Sequence, residues 1–297
     1  MRIVVTGAAG FLGTALTARL RTTGHGVRTI DLRDHPHGRV GDIRRTSDLR
    51  KVVDAGTDVI VHLAAVAGVR PSLADPDHYL SHNVLGTSAV LQTAQEIGVP
   101  RVVLTSSSSV YGDVRAASRE DDALVPLSPY AASKVAAEAL ARSYAERGVF
   151  EVAVVRPFTV YGPGQRPDMA ITRFLGLIRD GGTARLWPWV RDFTYIEDLV
   201  DGLVRCLDGQ LAAPFRAFNL GSGRPVAAHE LHEALATVTG RTLDVTWGVG
   251  RSGEPAMTHA DTERSHQELG FTASTSLLDG LAAQAATVFG ARDRVVA

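Results

Sequence analysis

The chain has 297 residues, 45% of them hydrophobic and 21% charged, with a formal net charge of −1. That length favours a large domain with a smaller lobe over one core, and near-neutrality gives no electrostatic footing for nucleic acid or an anionic membrane surface. No apolar run reaches the roughly 20 residues of a membrane-spanning helix, the single Cys206 excludes an internal disulfide, and Met1 leads straight into a strand without a signal segment, so the cytoplasm is the expected location.

In chain order, Arg2–Thr6 is a short β-branched run that stops at Gly7-Ala8-Ala9-Gly10-Phe11-Leu12-Gly13 and passes into a helical pattern through about Arg21. Gly7 permits a tight turn, Gly10 lets backbone approach a pyrophosphate, and Gly13 lets helix pack on strand. The helix N-terminus, with Phe11 and Leu12, then presents free N–H groups to phosphate. A second strand, residues 26–31, ends in Asp31, placed to bind the ribose hydroxyls of NAD and to repel the 2′-phosphate of NADP. Arg28 and Arg33 stand close by and leave the phosphate alternative open.

Further strands are expected at 59–63, 101–105 and 151–155, with helices at about 46–55, 77–97 and 129–147. Near-continuous apolar strands joined by helices indicate an α/β protein, a Rossmann-like doubly wound parallel sheet covered on both faces. Residues 217–220 read as a late strand returning to that sheet. The resulting division gives residues 1–160 and 189–222 to the dinucleotide-binding domain, and 161–188 and 223–297 to a smaller C-terminal α/β substrate lobe. The tail from about Ala291 is expected to fray.

The strand at 101–105 runs into Ser106-Ser107-Ser108-Ser109-Val110-Tyr111-Gly112, and the helix at 129–147 opens with Tyr130-Ala-Ala-Ser-Lys134. The latter spacing puts a phenol and an ammonium on one helical face. A cation favours the phenolate, which would let Tyr130 transfer protons below its ordinary pKa of about 10. Only Lys51 and Lys134 are lysines, in a chain that otherwise uses arginine for positive charge. A lysine kept there suits a compact point charge rather than a planar fork.

Together, the glycine turn, Asp31, the serine run and Tyr130/Lys134 occur in the order of the extended short-chain dehydrogenase/reductase superfamily, which the chain resembles from residue 1 to about 285. The resemblance implies a catalytic set of Ser107, Tyr130 and Lys134, with Gly41, Asp42 and Ile43 near adenine and His62, Leu63, Ala64 and Ala65 along the pyrophosphate and ribose. Tyr130 would exchange a proton with a sugar hydroxyl, Ser107 would bind the same oxygen, and Lys134 would bind the nicotinamide ribose and lower the tyrosine pKa.

Segments 67–72, 158–169 and 191–198 are similar to nucleotide-sugar 4-epimerases, the first two most of all to UDP-glucuronate 4-epimerases. By that resemblance Ser107, Ser108, Ser109, Thr159 and Arg166 surround the sugar and its carboxylate, while Arg191 and Arg251 bind the diphosphate. A hydroxyl cluster with a guanidinium suits a carboxylate; a loop arginine bound to backbone carbonyls is the plainer account of Arg166. Asn83 and residues 219–223 also match family positions and read equally as turn and cap residues.

Ser108 and Ser109 stand where related dehydratases place Asp-Glu, which leaves no acid to eliminate water. The expected reaction is therefore NAD-dependent 4-epimerisation through a 4-keto sugar, in a homodimer, with no metal. A UDP-hexose or N-acetylhexosamine epimerase, a 4-keto sugar reductase or dehydratase, and an NAD-sensing binding protein are the alternatives. The loop before Arg191 is short, and Trp187 and Trp189 either stack on a base or pack in the lobe. His229-Glu-Leu-His232 lacks the spacing that puts two ligands on one helical face, and Cys206 reads as a core thiol.

Overall fold

The computed structural model describes residues 1–249 and 254–290. Arg251 and the tail from Ala291 lie outside the described residues. The first half alternates as the apolar runs require: β1 (Arg2–Thr6), α1 (Phe11–Thr22), β2 (Gly26–Asp31), β3 (Arg39–Val40), α2 (Thr46–Leu49) and β4 (Val59–His62). It continues with α3 (Val69–Ala74), α4 (Pro76–Tyr79), a π turn (Leu80–Leu85), α5 (Gly86–Ile97), β5 (Arg101–Thr105), α6 (Pro129–Ala145) and β6 (Glu151–Pro157). The second half holds β7 (Thr159–Tyr161), α7 (Ala170–Asp180), β8 (Thr183–Leu186), β9 (Val190–Tyr195), α8 (Ile196–Arg205) and β10 (Phe215–Leu220). It closes with β11 (Pro225–Ala227), α9 (Ala228–Thr239), β12 (Asp244–Trp247), α10 (Glu263–Leu269) and α11 (Leu277–Phe289).

Seven parallel strands form the main sheet in the order β10-β6-β5-β4-β1-β2-β3. Chain order runs outward in opposite directions from β1 and β4, so the topological switch point lies between them, where a doubly wound sheet binds its ligand. Both faces are covered. Val4, Ile60, Val102 and Val152 point to a core shared with α5 and α6, whereas Ile3, Val5, Val61 and Val103 point to one shared with α8. Burial on both sides explains why these strands read as unbroken apolar runs.

Two expected helices differ. The run at 46–55 is helical only over Thr46–Leu49, because Asp54 organises the next turn: its carbonyl accepts from the Thr57 N–H at 2.8 Å and its carboxylate from the Gly56 N–H at 3.0 Å. Leu49, Val52 and Val53 are still buried, so the apolar spacing is satisfied without a continuous helix. The run at 77–97 is broken by the π turn, where Asn83 turns its side chain to the backbone of Val66.

A third core gathers Tyr161, Phe174, Leu186, Trp189, Phe193, Leu231, Leu235 and Leu281 between α7, α9, α11 and two small sheets, β11-β9-β7 and β12-β8. Here β9 carries the Arg-Asp-Phe motif, and fully buried Asp192 accepts from the N–H groups of Ser222, Gly223 and Ala260 at 2.7, 3.0 and 3.0 Å. Trp189 packs inside this core, and Trp187 lies at its edge with the Arg70 guanidinium 5.3 Å from its ring. Cys206 is fully buried, and burial pushes its thiol up to about 12, as a core residue requires. α10 and Phe271 return to the main sheet beside β10 and α8.

Candidate active site

The site assembles at the carboxyl ends of β1, β2, β4 and β5. After Thr6 the chain turns at Gly7 with φ +75°, and a Cβ there would meet the Ala64 backbone nitrogen at 2.6 Å. A Cβ on Gly13 would meet the Gly7 carbonyl oxygen at 2.1 Å, so α1 starts hard against the turn. Its free N–H groups and positive dipole end thus face the mouth of the switch point. The Phe11 ring lies close to Gly164, which brings the loop at 162–168 over the glycine turn.

Asp31, 8% exposed, ends β2 beside this turn and accepts from the N–H groups of Ala9 at 3.0 Å and Arg33 at 2.9 Å. Arg28 is turned away toward the Val52 carbonyl and Asp54. Arg33 is mostly exposed and bonds the Ala9 carbonyl at 2.7 Å. Asp42 is gripped by Arg44, whose hydrogen bonds hold its carboxyl below the usual range, and Ile43 is buried in the first core against Gly86. Leu63 and Ala64 follow β4, their N–H groups held by the Thr6 carbonyl and hydroxyl at 3.2 Å each. A turn that a Cβ would fill, backed by a carboxylate and a helix N-terminus, fits a dinucleotide.

The proton-transfer residues meet across β5 and α6. Ser128 caps α6 by accepting from the Ala131 N–H at 3.2 Å, and Pro129 opens its first turn. That start sets Tyr130 and Lys134 facing the end of β5. The Ser107 oxygen accepts from the Ser109 N–H at 3.2 Å, and its hydroxyl acts on the Tyr130 phenol as a hydrogen bond favouring the phenolate. The hydroxyls of Thr105, Ser106 and Ser109 are buried with no protein partner among the described residues.

Burial pushes the Tyr130 phenol up, Ser107 pulls it back, and the cation that acts on it is Arg166. Lys134, 6% exposed, instead donates to the Thr105 carbonyl at 2.8 Å, and burial lowers its own pKa to about 8 against the upward pull of Glu138. Behind Lys134, Glu138 is forked by buried Arg156 at 3.0 and 2.7 Å.

Arg166 is paired with Asp168 through two hydrogen bonds, 2.9 and 2.8 Å, rather than with backbone carbonyls. Burial pushes the Tyr79 phenol up, with Arg166 pulling against it, and the Tyr79 ring meets that of Tyr130 edge-on at 6.1 Å. Thr159 opens β7, half-buried like Ser107, Ser108 and Ser109. Arg191 stands apart from this cluster: its guanidinium bonds the carbonyls of Pro255 at 2.7 Å and Ala256 at 3.1 Å. Asn219 is a fully buried joint, its side chain accepting from the Tyr111 hydroxyl at 2.6 Å and donating to the Ser118 carbonyl at 2.8 Å.

Sequence reasoning passed over Glu138 and Arg156, and expected His62 along the pyrophosphate and ribose with Leu63, Ala64 and Ala65. Glu138 lies one helical turn beyond Lys134 and Arg156 sits in a strand otherwise apolar, and a charge in such a position was the available signal. His62 is buried with a hydroxyl at each ring nitrogen, and burial pushes its pKa down to about 3. Among the described residues no three His, Cys, Asp or Glu side chains gather as a metal site needs, and no helix is long and apolar enough to cross a membrane.

A glycine turn at the switch point, with a serine, tyrosine and lysine facing it, defines a Rossmann-type enzyme of the short-chain dehydrogenase/reductase class. Within that class the chain belongs to the NAD dependent epimerase/dehydratase family, whose pattern matches residues 3–221. It is similar to MoeE5, solved in complex with UDP-glucuronic acid and NAD, with 38% identity, a TM-score of 0.91 and coverage of 96% of this chain and 98% of that one. It is 34% identical to a UDP-glucose 4-epimerase of Mycolicibacterium smegmatis, covering 95% of this chain and 96% of the relative. It is also 31% identical to a UDP-glucuronate 4-epimerase of Thermodesulfobacterium geofontis, covering 94% and 93%.

Proposed function

We propose that this protein is an NAD-dependent 4-epimerase of UDP-sugars, acting between UDP-glucuronate and UDP-galacturonate. The observation that carries the substrate choice is the Arg166 guanidinium, whose charge acts on the Tyr130 phenol against the larger upward effect of burial. A cation beside the proton-transfer group, with Ser108, Ser109 and Thr159 nearby, suits a sugar that carries its carboxylate one carbon from the reacting one. The likeness to MoeE5, solved both with UDP-glucuronic acid and with UDP-glucose, supports the UDP-sugar class. When bound, NAD supplies a hydride acceptor for carbon 4 and a positive ring charge that favours the phenolate.

Tyr130 takes the proton of the 4-hydroxyl and returns it after the keto sugar has presented its other face. Ser107, its oxygen already accepting from Ser109, directs its own proton to the same oxygen. Lys134 holds the ribose hydroxyls and a positive charge near the phenol. Asp31 binds the adenosine ribose, and Gly7, Gly10, Phe11 and Leu12 cradle the pyrophosphate, with Asp42, Ile43, Leu63, Ala64 and Ala65 completing the cofactor wall. Arg191 and Arg251 bind the UDP diphosphate. The lobe of residues 161–188 and 223–297 closes over the nucleotide, residues 1–160 and 189–222 forming the cofactor domain. A cytoplasmic homodimer belongs to the same proposal, its interface supported by exposed Leu73, Leu80 and Leu85 on the α3–α5 segment.

A second reading, a UDP-hexose 4-epimerase, is favoured by Asp168, which already answers the Arg166 charge. Proton NMR of the purified holoenzyme with UDP-glucuronate and no added cofactor separates the two. Growth of UDP-galacturonate signals without NADH supports the first, and an unchanged spectrum alongside conversion of UDP-glucose supports the second.

A further inference from the structure

Behind Tyr130, five residues with polar side chains, each no more than 2% exposed, form a connected series: Thr6, His62, Thr87, Asn83 and Ser133. The Thr87–Asn83 link runs through the Asn83 backbone carbonyl. The Ala64 N–H donates to the Thr6 oxygen at 3.2 Å, and the Thr6 hydroxyl lies 2.7 Å from His62 Nδ1. On the other side of the ring, Nε2 lies 3.0 Å from the Thr87 oxygen, whose own proton goes to the Asn83 backbone carbonyl at 2.6 Å. Thr87 is therefore the acceptor and Nε2 the donor, which leaves Nδ1 to accept from Thr6. One neutral tautomer satisfies both contacts, and burial together with the Lys134 charge keeps the ring neutral, with a pKa of about 3.

From Asn83 the chain continues into the catalytic helix. Its side-chain amide accepts from the Val66 N–H at 2.8 Å and donates to the Val66 carbonyl at 3.0 Å and to the Ser133 oxygen at 2.9 Å. Ser133 donates in turn to the Tyr130 carbonyl at 2.7 Å. The two ends are functionally distinct. Thr6 immediately precedes Gly7 and holds the Ala64 backbone that walls the glycine turn, whereas Ser133 lies between Tyr130 and Lys134. Hydrogen bonds restrict distance and angle more tightly than apolar contact does, and a buried unpaired member is costly.

We propose that His62 is a positioning residue of the reaction: through Thr6 and Thr87 it holds the cofactor's phosphate turn in register with the helix bearing Tyr130 and Lys134. This rests on the reading of the site as an NAD-dependent epimerase, and it adds a group that touches neither sugar nor cofactor. A single imidazole thus adds a directional link, from the strand before the glycine turn to α5, beside the core that both share with α6. Misplacement of reacting groups by about 1 Å can cost on the order of a hundredfold in rate.

The test compares Thr87→Val with Thr87→Ser, since serine keeps both the acceptor and the donor. In NAD-loaded protein, Thr87→Val should lower kcat by roughly ten- to a hundredfold with KM and bound NAD unchanged, and Thr87→Ser should restore it. Thr6→Val, on the opposite side of the ring, should behave alike and serves if Thr87→Val does not fold. Wild-type kcat in both valine variants, with only a lower Tm, would overturn the proposal. A readout independent of the sugar is the fluorescence lifetime of bound NADH, changed by Thr87→Val and restored by Thr87→Ser. If the wild type converts no UDP-sugar, the epimerase reading fails and this lifetime decides: identical lifetimes in all three proteins also overturn the role of His62.

Discussion

Tyr130 is a buried phenol whose pKa is raised by desolvation and lowered by Ser107 and by Arg166. Removing the proton carrier outright, in Tyr130→Phe, should reduce epimerisation by about a hundred- to ten-thousandfold while NAD stays bound, checked by NMR progress curves. Arg166→Gln should lower kcat/KM for UDP-glucuronate by about ten- to a hundredfold, the worth of a charge-assisted hydrogen bond, and change UDP-glucose far less. Equal losses on both sugars would argue against a carboxylate reader. Lys134 has a pKa lowered to about 8, so below pH 8 it is the ammonium and above it the amine. The rate should therefore fall on an alkaline limb near pH 8. Because Glu138 raises that pKa, Glu138→Gln should move the limb to lower pH in a pH profile of kcat/KM.

At the scale of elements, the glycine turn and α1 act as one unit. Gly13→Ala places a methyl group 2.1 Å from the Gly7 carbonyl oxygen, a backbone atom that cannot step aside cheaply. The variant should lose copurifying NAD, measured by absorbance of the supernatant after denaturation, and should melt earlier than wild type. Arg156 and Glu138, 3% and 4% exposed, tie β6 to α6 directly behind Lys134. Breaking one partner of such a pair leaves a buried charge and costs about 3–5 kcal/mol. Arg156→Met should show that loss in urea titration, whereas substituting both partners by apolar residues should recover much of it.

Across the whole molecule, the glycine turn and Asp31 stand at the ends of main-sheet strands while Thr159 stands on β7 of the sheet β11-β9-β7, so the proposed site draws on both sheets. Exposed leucines at 73, 80 and 85 lie on the segment packed beside α6. Light scattering should return a dimer mass, and Leu85→Glu, at a position 61% exposed, should shift it toward monomer without changing retained NAD. A monomeric wild type would remove the homodimer from the proposal.

The alternating apolar runs and the spacings of Gly7, Asp31, Ser107, Tyr130 and Lys134 could be read directly, because periodicity and backbone requirements are local properties. They determined the parallel sheet, the family and the cofactor class. The extents of the helices were less legible. At 46–55 the Asp54 turn cut the helix short, and at 77–97 the Asn83 side chain exchanged a regular turn for contacts to Val66 and Ser133. Only the tertiary structure decided which charges feel one another. It set Lys134 against the Thr105 carbonyl, brought the Arg166 charge to bear on Tyr130, and buried His62 between two threonines far apart in sequence. Electrostatic coupling and desolvation depend on distance and burial in space, and neither is a property of neighbouring letters in a chain.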